Sequence, residues 1–247
     1  MSAQRVALAA SVDCADPLRL GEVAAALERE GVDRLHVDMM DGRFVPNLAA
    51  GFNLVTALCR LALPVEVHVM TLEPERFLPR LAAARAEVVI VHVETLADPA
   101  RTVAGARALG LEIGLAFNPR TPFDELEDLL PEVDQVVVMG VEPGFSGRPM
   151  LRGTLERVAR VRRIAEDLAY EGMLEVDGGV TWTAACALRD AGATGLVAGS
   201  QTLFRPGHDP AAAVRRLRRL VDEPERQPWP HLEPGRRRQS AFGTRAH

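Results

Sequence analysis

The amino-acid sequence predicts an α/β protein that folds as a single-domain (β/α)8 barrel, the TIM barrel. Eight short, mostly apolar runs alternate with eight helical stretches along the chain. Strands that are buried on both faces, as in a parallel sheet, have this apolar character. The length of 247 residues suits one barrel-sized domain. An open, doubly wound sheet is the alternative, but the first predicted strand lacks the GxGxxG turn that favours it.

The predicted strands are short and rich in valine, isoleucine and leucine. In chain order they are Val6–Ser11, Leu35–Asp38, Val65–Val69, Val88–His92, Ile113–Phe117, Val136–Met139, Leu174–Val176 and Leu196–Ala198. The predicted helices lie between them, and several begin with proline and are followed by glycine, which are common helix boundaries. They are Leu18–Glu30, Leu54–Arg60, Pro74–Ala84, Pro99–Leu109, Phe123–Leu130, Thr154–Tyr170, Thr183–Asp190 and Pro210–Leu220. Each strand is therefore followed by a helix, which is the repeat of a closed barrel.

The barrel is predicted to span residues 1–222. Residues 223–247 are rich in proline, arginine, glycine and glutamine and have no apolar periodicity. We therefore expect a disordered or loosely attached C-terminal tail. Its cluster Arg236–Arg238 can contact an acidic partner, but a solvated tail without such a role is the favoured interpretation.

Composition narrows the possible functions. The net charge of −5 gives no bulk attraction to nucleic acid or to a membrane surface, so neither is expected as a partner. The sequence has no signal-peptide core and no long uncharged apolar run, so we expect a cytoplasmic protein. The three cysteines form no CxxC pair, which argues against a disulfide framework. The chain has no lysine, which excludes lysine Schiff-base chemistry and the lysine of a P-loop.

Metal-binding side chains stand at the carboxyl ends of predicted strands, where barrels place their reactive groups. His36 and Asp38 are two residues apart, so both side chains point the same way. His68 can approach from the adjacent strand and Asp177 from across the barrel mouth. Each histidine alone would more often be a buried core residue. Together the four residues predict a site for one divalent metal ion.

Asp38 and Asp177 are also the predicted catalytic pair. Two carboxylates can exchange protons with a carbon on opposite faces of a bound substrate. Because a carboxylate is a weak base, a metal ion must stabilise the enediolate that forms. The combination predicts proton abstraction next to a carbonyl group.

Glycine-rich turns follow three consecutive predicted strands, at Gly144–Gly147, Gly178–Gly179 and Gly199–Ser200. Glycine lets backbone amides close around an anion, and barrels often hold phosphate near strands seven and eight. The alternative is that these are only tight turns. Their succession along one side of the barrel favours a phosphate site.

These residues lie in motifs that resemble the ribulose-phosphate 3-epimerase family, from about Val6 to Phe204. The most specific motif is His36–Asn47, with the sequence HVDMMDGRFVPN. The other matching segments are Val67–Met70, Val91–Glu94, Asn118–Thr121, Val138–Phe145, Glu175–Gly179 and Val197–Ser200. So many matches in the same order are not expected by chance.

The resemblance implies an isomerase that interconverts D-ribulose 5-phosphate and D-xylulose 5-phosphate, small phosphorylated ketoses, and that assembles as a homo-oligomer. It implies one divalent ion, Zn, Fe, Mn or Co, held by His36, Asp38, His68 and Asp177, with the two aspartates as acid and base. The implied substrate contacts are Ser11, His68, Met40, Met70, Met139, Gly144, Phe145, Ser146, Gly147, Gly178, Gly179, Gly199 and Ser200. For the three methionines, packing alone is an equal alternative.

Two segments depart from the family pattern. The family usually reads Pro-Ser-Ile-Leu-Ser where this chain has Ala10–Cys14, and Asp13 replaces leucine. It usually reads Gly-Phe-Gly-Gly-Gln where this chain has Gly144–Arg148. By strand alternation we expect Asp13 on the face of Ser11, where it can alter sugar recognition, and Arg148 can pair with phosphate. The alternative is that both side chains face solvent.

Because of these departures, a second interpretation stays open, in which the chain is a 3-epimerase of another sugar phosphate, such as D-allulose 6-phosphate. Epimerases of that sugar phosphate also carry cysteine near the Cys14 position. The segments Asp177–Val180 and Ala198–Ser200 resemble the pentose enzymes more closely. A metal-dependent barrel aldolase or decarboxylase and a non-catalytic sugar-phosphate-binding barrel are further alternatives. Product analysis separates the first of these from an epimerase, and deuterium exchange at C3 separates the second.

Overall fold

The computed structural model of the protein describes residues 5–222, except for the side chains of residues 124–126. In this part of the chain, strands and helices alternate around a closed barrel. The predicted tail, residues 223–247, lies outside the described residues. Its character and the domain boundary at residue 222 therefore stay predictions.

Among the described residues, nine strands belong to one sheet. They are β1 Ala7–Ser11, β2 Arg34–Asp41, β3 Leu48–Ala49, β4 Val65–Met70, β5 Val88–His92, β6 Glu112–Phe117, β7 Gln135–Met139, β8 Met173–Asp177 and β9 Gly195–Ala198. Apart from β3, neighbours pair in parallel in the order β1-β9-β8-β7-β6-β5-β4-β2. β1 also pairs with β2, with Ser11 opposite His36. This pairing closes the sheet, so the predicted (β/α)8 barrel is confirmed and the open-sheet alternative is wrong.

The short strand β3 is an element that the sequence analysis missed. It pairs antiparallel with the end of β2, with Met40 opposite Ala49. It has only two residues, and its Leu48 is 75% exposed. The sequence around it contains no apolar run of strand length, so nothing in the local pattern predicts the pairing.

Seven α-helices lie among the described residues outside the barrel. They are α1 Leu20–Arg29, α2 Phe52–Leu58, α3 Leu78–Ala84, α4 Pro99–Ala108, α5 Thr154–Asp167, α6 Trp182–Asp190 and α7 Pro210–Asp222. Leu27, Leu81 and Leu217 on their inner faces are fully buried. Burial of each such side chain contributes about 1.5–3 kcal/mol to folding.

One predicted helix is different in kind. The segment Phe123–Leu130 was expected to be a helix like the others, but the chain forms a 3-10 helix at Asp124–Glu132. Pro131 lacks an amide hydrogen and disfavours the α conformation of the residue before it, which disfavours an α-helix at the C-terminal end of this segment. The predicted Thr154–Tyr170 helix ends early, at Asp167, and the nearby Ala169 has a positive φ of 51°.

The inside of the barrel contains an apolar cluster and a polar cluster. The apolar cluster consists of Val88, Ile90, Ala116, Val137 and Met139, from β5, β6 and β7. The polar cluster contains the buried side chains of Glu66 from β4, Gln135 from β7 and Glu175 from β8, and Arg34 reaches Glu66 and Gln135 from β2. Barrel interiors are ordinarily filled by branched apolar side chains. The polar cluster is therefore a feature that ordinary packing of the interior does not explain.

Candidate active site

Two adjacent strands, β2 and β4, present polar side chains to the barrel interior at a spacing of two residues. Their parallel pairing sets these residues side by side as the pairs His36–Glu66, Asp38–His68 and Met40–Met70. Asp177, at the end of β8, is in register with Met139 of β7. The strand spacing and the pairing register thus bring the predicted ligands from three strands to one end of the barrel.

The four predicted ligands converge on one point. Nε2 of His36 lies 3.3 Å from Oδ1 of Asp38 and 4.0 Å from Oδ2 of Asp177. Nδ1 of His68 lies 3.3 Å from Oδ1 of Asp38 and 3.5 Å from Oδ2 of Asp177. One ligand atom from each residue lies within 4.8 Å of the other three. The structure brings all four side chains together, and their role as ligands stays a prediction.

These groups fit a divalent metal ion. Nδ1 of His68 is buried and has no hydrogen bond of acceptable geometry among the described residues, although two carboxylates lie near it. A buried nitrogen without a partner costs free energy unless a ligand satisfies it. Two imidazole nitrogens and two carboxylate oxygens are donors that zinc and other first-row dications accept. The donor set does not distinguish among Zn, Fe, Mn and Co.

The electrostatic field at this point is strongly negative. Burial lowers the pKa of His36, but hydrogen bonds to Asp38 and Glu66 outweigh burial and raise that pKa well above its usual value. Burial raises the pKa of Asp38, but the hydrogen bond from His36 and the charges of the two nearby imidazoles outweigh burial and hold that pKa below its usual range. Protons and metal ions compete for the same ligand atoms. The negative charges that favour protonation of the imidazoles therefore also favour binding of a metal cation at the same atoms.

A buried polar network supports His36 from below. Its Nδ1 lies 2.7 Å from Oε1 of Glu66, and Oε2 of Glu66 accepts from Arg34 at 3.2 Å. Gln135 accepts from Arg34 and donates to Glu175. Burial and the charge of Glu66 raise the pKa of Glu175 well above its usual value. Glu66 and Glu175 were not among the predicted site residues, although each stands two residues before a predicted ligand, and strand alternation predicts its inward direction.

A cavity opens above the ligands at the barrel mouth. Its volume is about 590 Å³, including the space at its open side, which is within the range of small-ligand pockets. The predicted site residues that line it are Ser11, Asp38, Met40, Met70, Met139, Gly144, Phe145, Ser146, Gly147, Asp177, Gly178, Gly179, Gly199 and Ser200. His36 and His68 are fully buried and lie beside the two aspartates. The lining also includes residues that the sequence analysis did not predict: Cys14, Val141, Pro143, Val180, Val197 and Gln201.

The other side of the cavity consists of the loops after β7, β8 and β9. Gly144, Gly147, Gly178 and Gly179 have φ values of 109°, 78°, 97° and 71°, a region that favours glycine. Nδ2 of Asn47 donates to the carbonyl oxygen of Gly144 at 2.8 Å, which ties the first loop to the segment after β2. Backbone rather than long side chains forms much of this wall, which is the chemistry predicted for a phosphate site.

Asp13 does not lie where strand alternation predicts. β1 ends at Ser11, and Asp13 belongs to the 3-10 helix that follows, Val12–Cys14. Its Oδ2 accepts a hydrogen bond from the backbone amide of Asp38 at 2.8 Å. Partial desolvation and the nearby charge of Asp38 raise the pKa of Asp13 to about 6, although its side chain remains exposed. The expectation that Asp13 shares the face of Ser11 is wrong because the strand has already ended.

Arg148 lies at the mouth of the cavity and is one of its lining residues. Its guanidinium group lies 5.2 Å from the centre of the Phe145 ring. Its backbone carbonyl accepts a hydrogen bond from Nε2 of Gln201 at 2.5 Å. This second departure from the family pattern thus adds a positive charge beside the glycine loops.

The comparison with known proteins gives the family. The sequence model of the Ribulose-phosphate 3 epimerase family matches residues 7–203. The chain belongs to this family. A protein from Synechocystis sp. named ribulose-phosphate 3-epimerase is 38% identical over 220 residues, which cover 87% of this chain and 96% of that protein. The ribulose-phosphate 3-epimerase of Bacillus subtilis is 37% identical over 197 residues, which cover 79% of this chain and 91% of that protein. The predicted family, and with it the class of isomerases, is confirmed.

Solved structures with the same fold are less similar in sequence. A crystal structure of 3-hexulose-6-phosphate synthase is 21% identical, with a TM-score of 0.63, and covers 87% of this chain and 100% of that chain. Orotidine 5'-phosphate decarboxylase from Pyrococcus horikoshii OT3 is 16% identical, also with a TM-score of 0.63, and covers 87% and 98%. At this identity the similarity concerns the barrel alone. Within residues 5–222, no helix has both the length and the apolar character needed to cross a membrane.

Proposed function

We propose that this member of the ribulose-phosphate 3-epimerase family is a metal-dependent ketose-phosphate 3-epimerase that interconverts D-ribulose 5-phosphate and D-xylulose 5-phosphate. The observation that carries the proposal is the convergence of two imidazoles and two carboxylates at the floor of the cavity. The names of the relatives, which match this chain over most of its length, support the choice of substrate.

Asp38 and Asp177 act as acid and base at C3 of the substrate. Their side chains are 19% and 17% exposed, so they are desolvated but accessible from the cavity. They come from β2 and β8, which are separated by β1 and β9 in the barrel, and so approach a bound sugar from different sides. One carboxylate removes the C3 proton and the other returns a proton to the opposite face. The two exchange roles when the reaction runs in reverse.

His36 and His68 would hold the divalent ion together with the two aspartates. When bound, such an ion supplies electrostatic stabilisation for the negative charge that develops on the substrate oxygens. Glu66 fixes the ring of His36 by accepting from Nδ1, which leaves Nε2 facing the carboxylates.

Met40, Met70, Met139 and Ser11 all line the cavity. Methionine side chains are polarisable but exchange no protons. Proton transfer is therefore left to the two aspartates, while the hydroxyl of Ser11 can hydrogen-bond a sugar oxygen. The glycine loops and Arg148 bind the phosphate at the other side of the cavity.

A single experiment tests this function. The full chain is treated with chelator, reloaded with Zn²⁺, Mn²⁺, Fe²⁺ or Co²⁺ in turn, and assayed in D₂O with a panel of pentulose and hexulose phosphates. We expect metal-dependent epimerisation of D-ribulose 5-phosphate with one solvent deuterium incorporated at C3. Carbon–carbon cleavage, or binding without deuterium incorporation, would contradict the proposal. A higher kcat/KM for D-allulose 6-phosphate would move the substrate to the hexulose series.

The proposal also includes the oligomeric state and the cellular location of the enzyme. A homo-oligomeric assembly and a cytoplasmic location follow from the family resemblance and from the composition of the chain. Light scattering on the purified full chain measures the first, and a monomer at micromolar concentration would contradict it. The tail of residues 223–247 can be tested by comparing the activity of the full chain with that of a chain ending at residue 222.

A further inference from the structure

His68 contacts a second buried histidine on the side away from the two aspartates. Its Nε2 lies 2.9 Å from Nε2 of His92, which is at the end of β5. Both rings are fully buried. Their planes differ by 18° and their centroids are 5.0 Å apart, so the two nitrogens face each other edge to edge. The contact is therefore a hydrogen bond between rings.

The second histidine contacts a carboxylate in turn. Nδ1 of His92 lies 3.2 Å from Oε2 of Glu94. The other oxygen of Glu94 accepts from the backbone amide of Asn118 at 2.7 Å and from the hydroxyl of Thr121. Arg157 of α5 donates to the carbonyl oxygens of Asn118 and Thr121 at 3.0 and 3.3 Å. Glu94 is thus held by a loop that is itself anchored to a helix.

The contacts determine which ring nitrogen of each histidine carries a proton when His68 binds a metal ion. Only one of the two facing Nε2 atoms can carry the shared proton. A metal-binding nitrogen must be unprotonated, and in His68 that nitrogen is Nδ1, which faces the aspartates. Its proton must then sit on Nε2 and point at Nε2 of His92. The proton of His92 must in turn sit on Nδ1 and point at Glu94.

We propose that His92 and Glu94 are positioning residues that set the tautomer and ring orientation of the metal ligand His68. The inference rests on the proposed function, since it presupposes that His68 binds the metal. It assigns a role to two sequence motifs, Val91–Glu94 and Asn118–Thr121, which have no part in the proton transfer by the two aspartates. Outer partners of this kind typically change metal affinity or activity by about 10- to 100-fold when they are removed.

The test measures Zn²⁺ affinity of the full-length protein by competition with a chromophoric chelator, without substrate. His92→Phe keeps an aromatic ring but removes the acceptor, and we expect its affinity to fall by about 10- to 100-fold. His92→Gln keeps an acceptor near the position of Nε2, and we expect it to stay within about threefold of the wild type. His208→Asn is the control for loss of a histidine, because the side chain of His208 is exposed and contacts the carbonyl oxygen of Pro206 rather than any residue of the cavity.

Two readouts separate positioning from simple packing. Thermal unfolding of the metal-free variants identifies any that fail to fold, and affinity is compared only between folded proteins. Long-range ¹⁵N NMR of the Zn²⁺-loaded wild type reports the tautomer, and we expect His92 to be protonated on Nδ1 and unprotonated on Nε2. A proton on Nε2 of His92, or equal Zn²⁺ affinity of His92→Phe and His92→Gln, would overturn the inference. If the wild type itself bound no Zn²⁺, the proposed function would fail together with it.

Discussion

The two sides of the cavity are built from different parts of the chain. One side, called the metal side for the ion that we propose binds there, consists of the side chains of His36, Asp38, His68 and Asp177, whose ligand atoms lie within 4.8 Å of one another. The other side, called the phosphate side for the group that we propose binds there, consists of the loops after β7, β8 and β9, and the first two of these loops present glycine backbone at positive φ. Under the proposed function, binding of the metal ion depends on which side chains are present, whereas binding of the phosphate depends on glycine positions that carry no side chain.

The largest effect is expected on the metal side, from Asp38→Asn and Asp177→Asn. An amide cannot accept and return a proton, and it is a poorer ligand for a cation, so kcat should fall by roughly 10²–10⁴-fold. The measurements are kcat, deuterium incorporation at C3, and circular dichroism to verify the fold. Near-normal turnover in either variant would contradict the two-carboxylate scheme.

The next largest effect is expected from Gly179→Ala on the phosphate side. Gly179 has a φ of 71°, and an added Cβ would lie 2.6 Å from backbone atoms of Met150. Backbone strain of this kind costs roughly 1–3 kcal/mol, and the displaced loop should raise KM more than it lowers kcat. Thermal unfolding and steady-state kinetics measure both effects.

Gly21→Ala is the matched control for that prediction. Gly21 lies exposed in α1, and an added Cβ meets nothing within 4 Å. Replacing glycine in a helix by alanine stabilises by roughly 0.5–1 kcal/mol, so this variant should unfold at a higher temperature with unchanged kinetics. Equal behaviour of the two variants would remove the special role of the phosphate-side backbone.

A smaller effect is expected where the phosphate side does carry a charged side chain. Arg148→Gln should raise KM by roughly fivefold, which corresponds to about 1 kcal/mol for an exposed ion pair, with little change in kcat. The effect should shrink at high salt because exposed charges are screened. Arg152→Gln is the control, because Arg152 is exposed but does not line the cavity. Identical KM values for the two variants would exclude Arg148 as a phosphate contact.

An effect of similar size, on kcat rather than on KM, is expected from Asp13→Leu. This change removes the hydrogen bond to the amide of Asp38, which is worth about 1 kcal/mol, so kcat should fall by roughly fivefold. Asp13→Asn retains an acceptor and should fall less. Since Asp13 does not line the cavity, the ratio of kcat/KM for pentulose and hexulose phosphates should not change. A changed ratio would instead favour the idea that Asp13 recognises the sugar.

Much of the fold and of the metal side could be predicted from the sequence because both depend on local periodicity. Apolar runs mark the strands, and a spacing of two residues sets His36 and Asp38 on one face. The contact between His68 and His92 could not be predicted in this way. It depends on the register between β4 and β5, where His68 pairs with Ile90, and on the side-chain rotamers. Asp13 was misplaced because strand alternation was applied beyond Ser11, where the predicted and the observed strand both end and a 3-10 helix begins.

The polar cluster inside the barrel limits how far the thermal stability of the fold can be raised. Glu66, Glu175 and Gln135 occupy space that branched hydrocarbon side chains fill in an ordinary barrel. Buried ionic groups seldom stabilise a protein as well as hydrocarbon of the same volume. Replacing the whole polar cluster with hydrocarbon would therefore remove Glu66, which accepts from Nδ1 of His36. The most direct route to a more stable barrel would disturb the proposed metal site.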